Sequence, residues 1–276
     1  MPARALPRIL KALAIAAVAI WSLLPIVMIV LSSLKPDRDI FAIPPRFTFT
    51  PTLANYAALW TRWSDFFTGL ANSLIITAGA TVLAILVSTL AGYAYSRFRG
   101  RILSASAFFL IFVRLIPPIV ITLPLFPAVN ALSLNDTHAI LIVLYATFFV
   151  SLGTLVMRTF IDQIPKELDE AALVDGATRG QIVRKVIVPL SAQGMVAVAV
   201  FVIVYAWNEF LFAFIFTTTR AKTAPLVLAE MIGAVEGVEW GVLFAASTLQ
   251  LLPVLLFVII AQRHLIAGLT AGATKG

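Results

Sequence analysis

The stretch EAALVDGATRGQIVRKVIVP, Glu170 to Pro189, is a polar island between two long apolar segments. Pro165 suits the first turn of a helix, where its missing donor costs nothing, and Ile164, Leu168, Ala171 and Ala172 then recur at helical spacing. Gly176 ends that helix, because glycine adopts the left-handed backbone that closes helices. Thr178 with Gln181 three residues on forms a capping box for a second short helix with apolar positions Ile182, Val183, Val186 and Ile187. The expected product is a helix, a glycine turn and a helix lying across a membrane surface. Ala171 and Ala172 let another surface approach the backbone, and Glu167, Asp169, Glu170 and Asp175 offer charge beside them. This is the chemistry of a protein contact. The competing reading, a loop resting on lipid, fits poorly with so acidic a first helix.

The flanking chain explains why such an island stands out. Of 276 residues, 61% are hydrophobic and 12% charged, and the mean hydropathy is +1.01. These values exclude an ordinary soluble domain. The net charge of +7 sits at the ends of apolar runs, where it orients a chain in a bilayer instead of binding nucleic acid. Without cysteine there is no disulfide, thiol nucleophile or thiolate metal site, and two histidines leave little room for a histidine metal centre. No internal repeat or low-complexity segment stands out.

Six windows reach the roughly 20 apolar residues needed to span a bilayer: near 10–31, 70–93, 102–123, 138–157, 190–216 and 241–261. In the first, the apolar run Ala12 to Leu31 follows Arg4, Arg8 and Lys11 and is read as a retained helix, since it is long enough to span a bilayer and no small-residue cleavage site stands out. With the N-terminus inside, thirteen Lys and Arg fall on the cytoplasmic side and six outside, with Arg114 left in the third span. The termini and the loop 158–189 are therefore expected in the cytoplasm. Arg97, Arg99 and Arg101 in the turn after the second span read as a topology anchor. In the loop 32–69, Leu53, Tyr56, Leu59, Trp60, Trp63, Phe66 and Phe67 suggest short helices at the outer interface, as an aromatic belt or a docking site.

Three polar residues inside the spans stand out as candidates. Pro117-Pro118, followed by Pro124 and Pro127, should kink or unwind the third helix near Ile116, and Arg114 stands one turn before the break. It either faces a translocation path, snorkels, or pairs within the bundle. Trp207-Asn208-Glu209 lies in the outer half of the fifth span. Glu209 either faces a cavity or makes a buried structural hydrogen bond between helices. Arg114, Asn208 and Glu209 are the pathway candidates. Beyond Ile266 the tail shows no obvious helix.

At these residues the chain resembles the permease subunits of type I ATP-binding-cassette importers, whose signature is EAA, then glycine, isoleucine and a proline-leucine pair. Here these are Glu170, Ala171, Ala172, Asp175, Gly176, Ala177, Ile187, Pro189 and Leu190. Gln193 stands where the family often has a further proline. The maltose-type, carbohydrate-importing branch is approached most closely, through Leu34-Lys35-Pro36, Leu53 to Tyr56, Asn72-Ser73-Leu74, Trp207 to Phe210 and the ending Gly268-Leu269-Thr270-Ala271-Gly272.

The resemblance implies an all-α integral membrane protein with six transmembrane helices in the type I ABC importer permease fold, forming one permease domain in a bacterial inner membrane. It implies a coupling helix seated in a cytoplasmic ATPase, with Glu170, Ala171, Ala172, Asp175, Gly176, Ala177 and Pro189 as the contact set. It also implies two ATPase copies carrying ATP and magnesium, a second permease, an extracytoplasmic solute-binding protein, and a sugar or sugar-like solute. The chain has no phosphate loop, so the expected role is non-catalytic, with no cofactor or metal of its own. Rival readings are a type I importer for a non-sugar solute such as a polyamine, and a self-sufficient secondary transporter. An intramembrane protease lacks its dyad.

Overall fold

A computed structural model describes residues 5–235 and 237–273, with side chains over 9–235 and 237–262. Among the described residues the secondary structure is helical, without strands. The helices are α1 (Ala5–Ser33), α2 (Asp37–Ile40), α3 (Ala54–Arg62), α4 (Asp65–Arg97), α5 (Arg101–Val113), α6 (Pro118–Ala131), α7 (His138–Ile161), α8 (Glu167–Val174), α9 (Arg179–Ile182), a π-helical turn (Val183–Ile187), α10 (Val188–Leu190), α11 (Ala192–Asn208), α12 (Leu211–Phe216), α13 (Ala224–Ile232) and α14 (Trp240–Ala273).

Four helices are long and apolar enough to cross a membrane: Ile9–Ser33, Asp65–Arg97, His138–Ile161 and Trp240–Gln262. Two bent pairs, α5 with α6 and Arg179–Leu190 with α11, raise the number to six if each is one span. The break expected near Ile116 is present, with α5 and α6 meeting at 103°. Arg114, Leu115 and Ile116 close α5 with bonds to carbonyls three residues back, at 3.3, 3.0 and 3.2 Å. Pro118 then starts α6 at a position that needs no donor. Pro124 and Pro127 are carried inside α6. The fifth window divides at Glu209 and Phe210 into α11 and α12. The tail departs from expectation as well: α14 runs to Ala273, because Ala267, Leu269, Ala271 and Ala273 are strong helix formers and each of the two glycines, Gly268 and Gly272, costs a helix only about 1 kcal/mol.

The packing divides into two units, Met1–Phe67 with Val227–Pro253 and Thr68–Leu226 with Val254–Gly276. In the first, Leu59 and Phe66 are fully buried, while Leu53 and Trp60 remain exposed. Two of the sequence motifs meet there. Asn55 donates to the carbonyls of Ser33 (2.8 Å) and Lys35 (2.9 Å), and the Tyr56 hydroxyl lies 2.8 Å from Ser33 Oγ. Lys35, 6% exposed, donates to the Arg46 carbonyl at 2.9 Å. None of the membrane-length window of α1 is buried.

The second unit is built on α4, α7 and α11. Small residues let these helices approach at backbone distance. A Cβ on Gly92 of α4 would stand 2.8 Å from Met157 Cβ and 2.9 Å from the Arg158 nitrogen in α7, and one on Gly194 of α11 would stand 2.8 Å from the Phe160 ring. Tyr145, Met157, Ile161, Val198 and Val202 fill the core between them.

Candidate functional site

The loop between α7 and α11 forms as its residues dictate. α8 begins at Glu167 with Lys166 as its N-cap, two residues later than Pro165 would allow, because the Leu168 and Asp169 amides bond the Pro165 and Lys166 carbonyls three residues back. Gly176 ends α8 with φ +79°. The Ala177 amide returns to the Ala172 carbonyl at 2.9 Å, and the Gly176 amide to Leu173 at 3.0 Å, the two bonds of a Schellman closure. Thr178 and Gln181 make the expected capping box, with the Thr178 amide donating to Gln181 Oε1 at 2.7 Å and the Gln181 amide to Thr178 Oγ1 at 3.4 Å. Pro189 follows the π-helical turn, and the chain bends by 77° into α11.

The signature residues divide between two faces. Glu170, Ala171, Asp175 and Gly176 are exposed, and Glu170 forms no ion pair with any described residue. Val174, 88% exposed, stands on the same face of α8 as Glu170 and Ala171. The sequence reading did not single it out, although a bare valine in a short acidic helix was the available signal. Asp175 at the C-terminal end of α8 is unfavourable to the helix dipole, so its presence suits contact more than stability. Ala172 and Ala177 are instead partly buried against the core, which leaves only Ala171 of the alanine pair open to close approach.

Asp169 also differs from expectation. It was counted among the surface charges, but its side chain is 10% exposed and accepts from Arg97 Nε at 2.9 Å. Arg97, read as a topology anchor, is 7% exposed. It reaches inward because the end of α4 lies beside α8, a proximity between residues 72 positions apart that sequence spacing does not reveal.

Of the pathway candidates, Arg114 lines a cavity of about 510 Å³ with Phe109, Phe148, Ser151 and Phe212, and its guanidinium stands 5.5 Å from the Phe148 ring centre. Asn208 and Glu209 do not line it. Asn208 Nδ2 donates to the Val204 carbonyl at 2.7 Å. Glu209, 8% exposed, occupies the break after α11 and accepts from the amides of Phe212 (2.9 Å) and Ala213 (3.3 Å). Both bonds come from amides of the segment that follows it. Glu209 caps α12, which provides for the buried carboxylate locally.

A second polar constellation was not anticipated. Asp136, at φ +58°, accepts from the amides of Thr218, Thr219, Arg220 and Ala221 and from both threonine hydroxyls. Burial alone would raise its pKa, but the Arg220, Ala221 and Thr218 amides and the Thr219 hydroxyl outweigh that and hold the carboxyl well below its usual range. Asn72, from a motif noted in the sequence, donates to the Arg220 and Lys222 carbonyls at 2.9 Å each and meets His138 Nε2 at 2.7 Å. Ser73 Oγ receives the Ala224 amide at 2.9 Å. Among the described residues no cluster of His, Cys, Asp and Glu could hold a metal ion.

Comparison with known proteins agrees with this architecture. The chain is 39% identical over 263 residues to the trehalose transport system permease protein SugB of Mycobacterium tuberculosis, covering 93% of each. It is 34% identical to the trehalose/maltose transport system permease protein MalG of Thermococcus litoralis, covering 98% of each. Its fold matches a chain of a bacterial ABC transporter involved in the import of the acidic polysaccharide alginate, with TM-score 0.79, 21% identity, and 94% and 96% of the two chains covered. Residues 80–270 match the model of one family, so this chain belongs to the binding-protein-dependent transport system inner membrane components.

Proposed function

We propose that this chain is the permease subunit of an ATP-driven importer for a sugar or sugar-like solute, forming half of the pathway and receiving force through the loop Glu170–Pro189. The observation that carries this reading is the exposed face Glu170, Ala171, Val174 and Asp175 on a rigidly capped helix–glycine–helix, within a chain of the inner membrane component family. The loop is cytoplasmic and seats in an ATPase that binds ATP and magnesium. Two ATPase copies, a second permease and an extracytoplasmic binding protein complete the assembly. ATP closes the ATPase pair, the loops follow, and the permeases turn from inward-facing to outward-facing, a two-state switch biased by ligands. The binding protein then releases its solute into the pathway; Arg114, which lines the cavity, is the residue we assign to bond hydroxyls there.

Relatives similar along nearly the whole chain serve trehalose and maltose systems, which favours a sugar over a polyamine. The test is to purify the tagged chain gently from its host, identify its companions, and measure uptake of radiolabelled trehalose and maltose. Two copies of an ATPase and a second permease, with ATP-dependent uptake, are expected. Recovery of the chain alone, with ATP-independent uptake in liposomes, would overturn the reading in favour of a secondary transporter.

A further inference from the structure

We propose that Arg97 and Asp169 are positioning residues that lock the coupling loop to α4, so that force received at Glu170 is delivered to a membrane helix instead of being lost as sliding of the loop. This rests on the coupling role proposed above. Arg97 is the last residue of α4, and its guanidinium touches three segments. Nε donates to Asp169 Oδ2 of α8 at 2.9 Å, with Nη2 3.5 Å from Oδ1. Nη1 donates to the Ile161 carbonyl at the end of α7 (3.3 Å) and to Ser96 Oγ (3.0 Å), and Nη2 to the Ile164 carbonyl (3.0 Å). A second tie lies beside it, where the Arg179 guanidinium of α9 stands 4.7 Å from the centre of the Phe98 ring, one residue past α4. Phe98 in turn packs edge-on against Tyr93. Each of the loop's first two helices is thus fastened to the same end of α4.

An apolar contact resists separation, but it lets surfaces slip. A planar guanidinium held by fixed acceptors on three segments resists slip as well. A buried pair of this kind is a weak source of stability, since well-packed apolar residues often replace it without loss, so its presence is better explained by the geometry it fixes. Adjacent residues differ in exposure: Glu170 is exposed and Asp169 is buried against Arg97. The short α8 is therefore gripped on one side and free on the other.

The test uses the assembled transporter and reads transport of radiolabelled trehalose per ATP hydrolysed. In the double variant Arg97→Met with Asp169→Leu, the buried charges leave together. Assembly and ATP hydrolysis should persist, while transport per ATP falls about fivefold. A wild-type ratio in that variant overturns the clamp, because a merely structural pair would be replaced without loss of coupling. If the double variant fails to assemble, Asp169→Asn decides: it removes the charge alone, a lowered ratio is expected, and a wild-type ratio overturns the proposal. The chain has no cysteine, so Val174→Cys provides a single crosslinking site on the exposed face. Crosslinking to the ATPase, combined with an unaffected ratio in the Arg97 and Asp169 variants, sinks the clamp alone, whereas no crosslink to the ATPase in the otherwise native chain sinks the coupling reading and the clamp with it.

Discussion

Replacing Gly176 separates a backbone requirement from a steric one. Its φ is +79°, and a Cβ there would meet nothing within 4 Å. Gly176→Ala therefore costs only the left-handed strain of an L-residue, about 1–2 kcal/mol. Both closing bonds survive, so the turn persists and uptake should stay within a few-fold of wild type. Gly176→Pro is different in kind. Proline holds φ near −65°, a rotation of roughly 145° from the observed value. It also removes the amide that bonds the Leu173 carbonyl at 3.0 Å, worth about 1 kcal/mol, and it disfavours the compact backbone of Asp175 before it. α9 must then leave α8 in another direction. Gly176→Pro should reach the membrane at normal levels, measured by immunoblot, and lose uptake with reduced recovery of the ATPase. Normal uptake in Gly176→Pro would refute the rigid-loop mechanism. An alanine variant as damaged as the proline variant would show that space, and not backbone conformation, is what Gly176 supplies.

Other outcomes follow from the same geometry. Gly92→Leu forces side-chain atoms into Met157 and the backbone of Arg158 and should destabilise the protein by about 1–3 kcal/mol in a thermal melt; an unchanged melt would refute the close approach of α4 and α7. Asp136→Ala should lower the melting temperature at neutral pH. Because the carboxyl is held well below its usual pKa, its contribution is complete above the ordinary carboxylate value and is lost as pH falls from there through the depressed folded one. The stability difference between wild type and Asp136→Asn should thus be flat from about pH 8 to pH 5, and a difference that shrinks across that range would contradict the amide cradle. Arg114→Ala should weaken solute uptake about tenfold through loss of a charge-assisted bond; unchanged affinity and rate would remove Arg114 from the pathway.

The loop was legible because its signals are local. Gly176, the Thr178–Gln181 box and the break at Pro117-Pro118 each act within four residues, and each is found in place. What escaped was long-range. Arg97 looks like any basic residue at a span end until α8 lies beside it, and Asp136 resembles an ordinary loop acid until residues 218–221 wrap around it. Glu209 was ambiguous because its cost in lipid is evident from sequence, while its remedy, the start of a six-residue helix, needs the helix break to be known first. Asn72 and Asn55 lie in motifs that the sequence could match but not explain. Both prove to hold the backbone of distant turns.

The π-helical turn at Val183–Ile187 encodes orientation as a count. Ile182 and Ile187 are both buried, at 1% and 0% exposure, yet at roughly 100° per residue an α-helix would set positions five apart about 140° away from each other. An i to i+5 hydrogen bond closes the turn over five residues and returns both isoleucines to one side. Deleting any one residue of the turn would leave a chain of nearly unchanged composition and good helical propensity, but with α8 and α9 rotated about the axis that leads into α11. The direction in which the loop faces is thus stored in the number of residues before Pro189 more than in their kinds, and a one-residue deletion should be worse tolerated there than a conservative substitution at the same site.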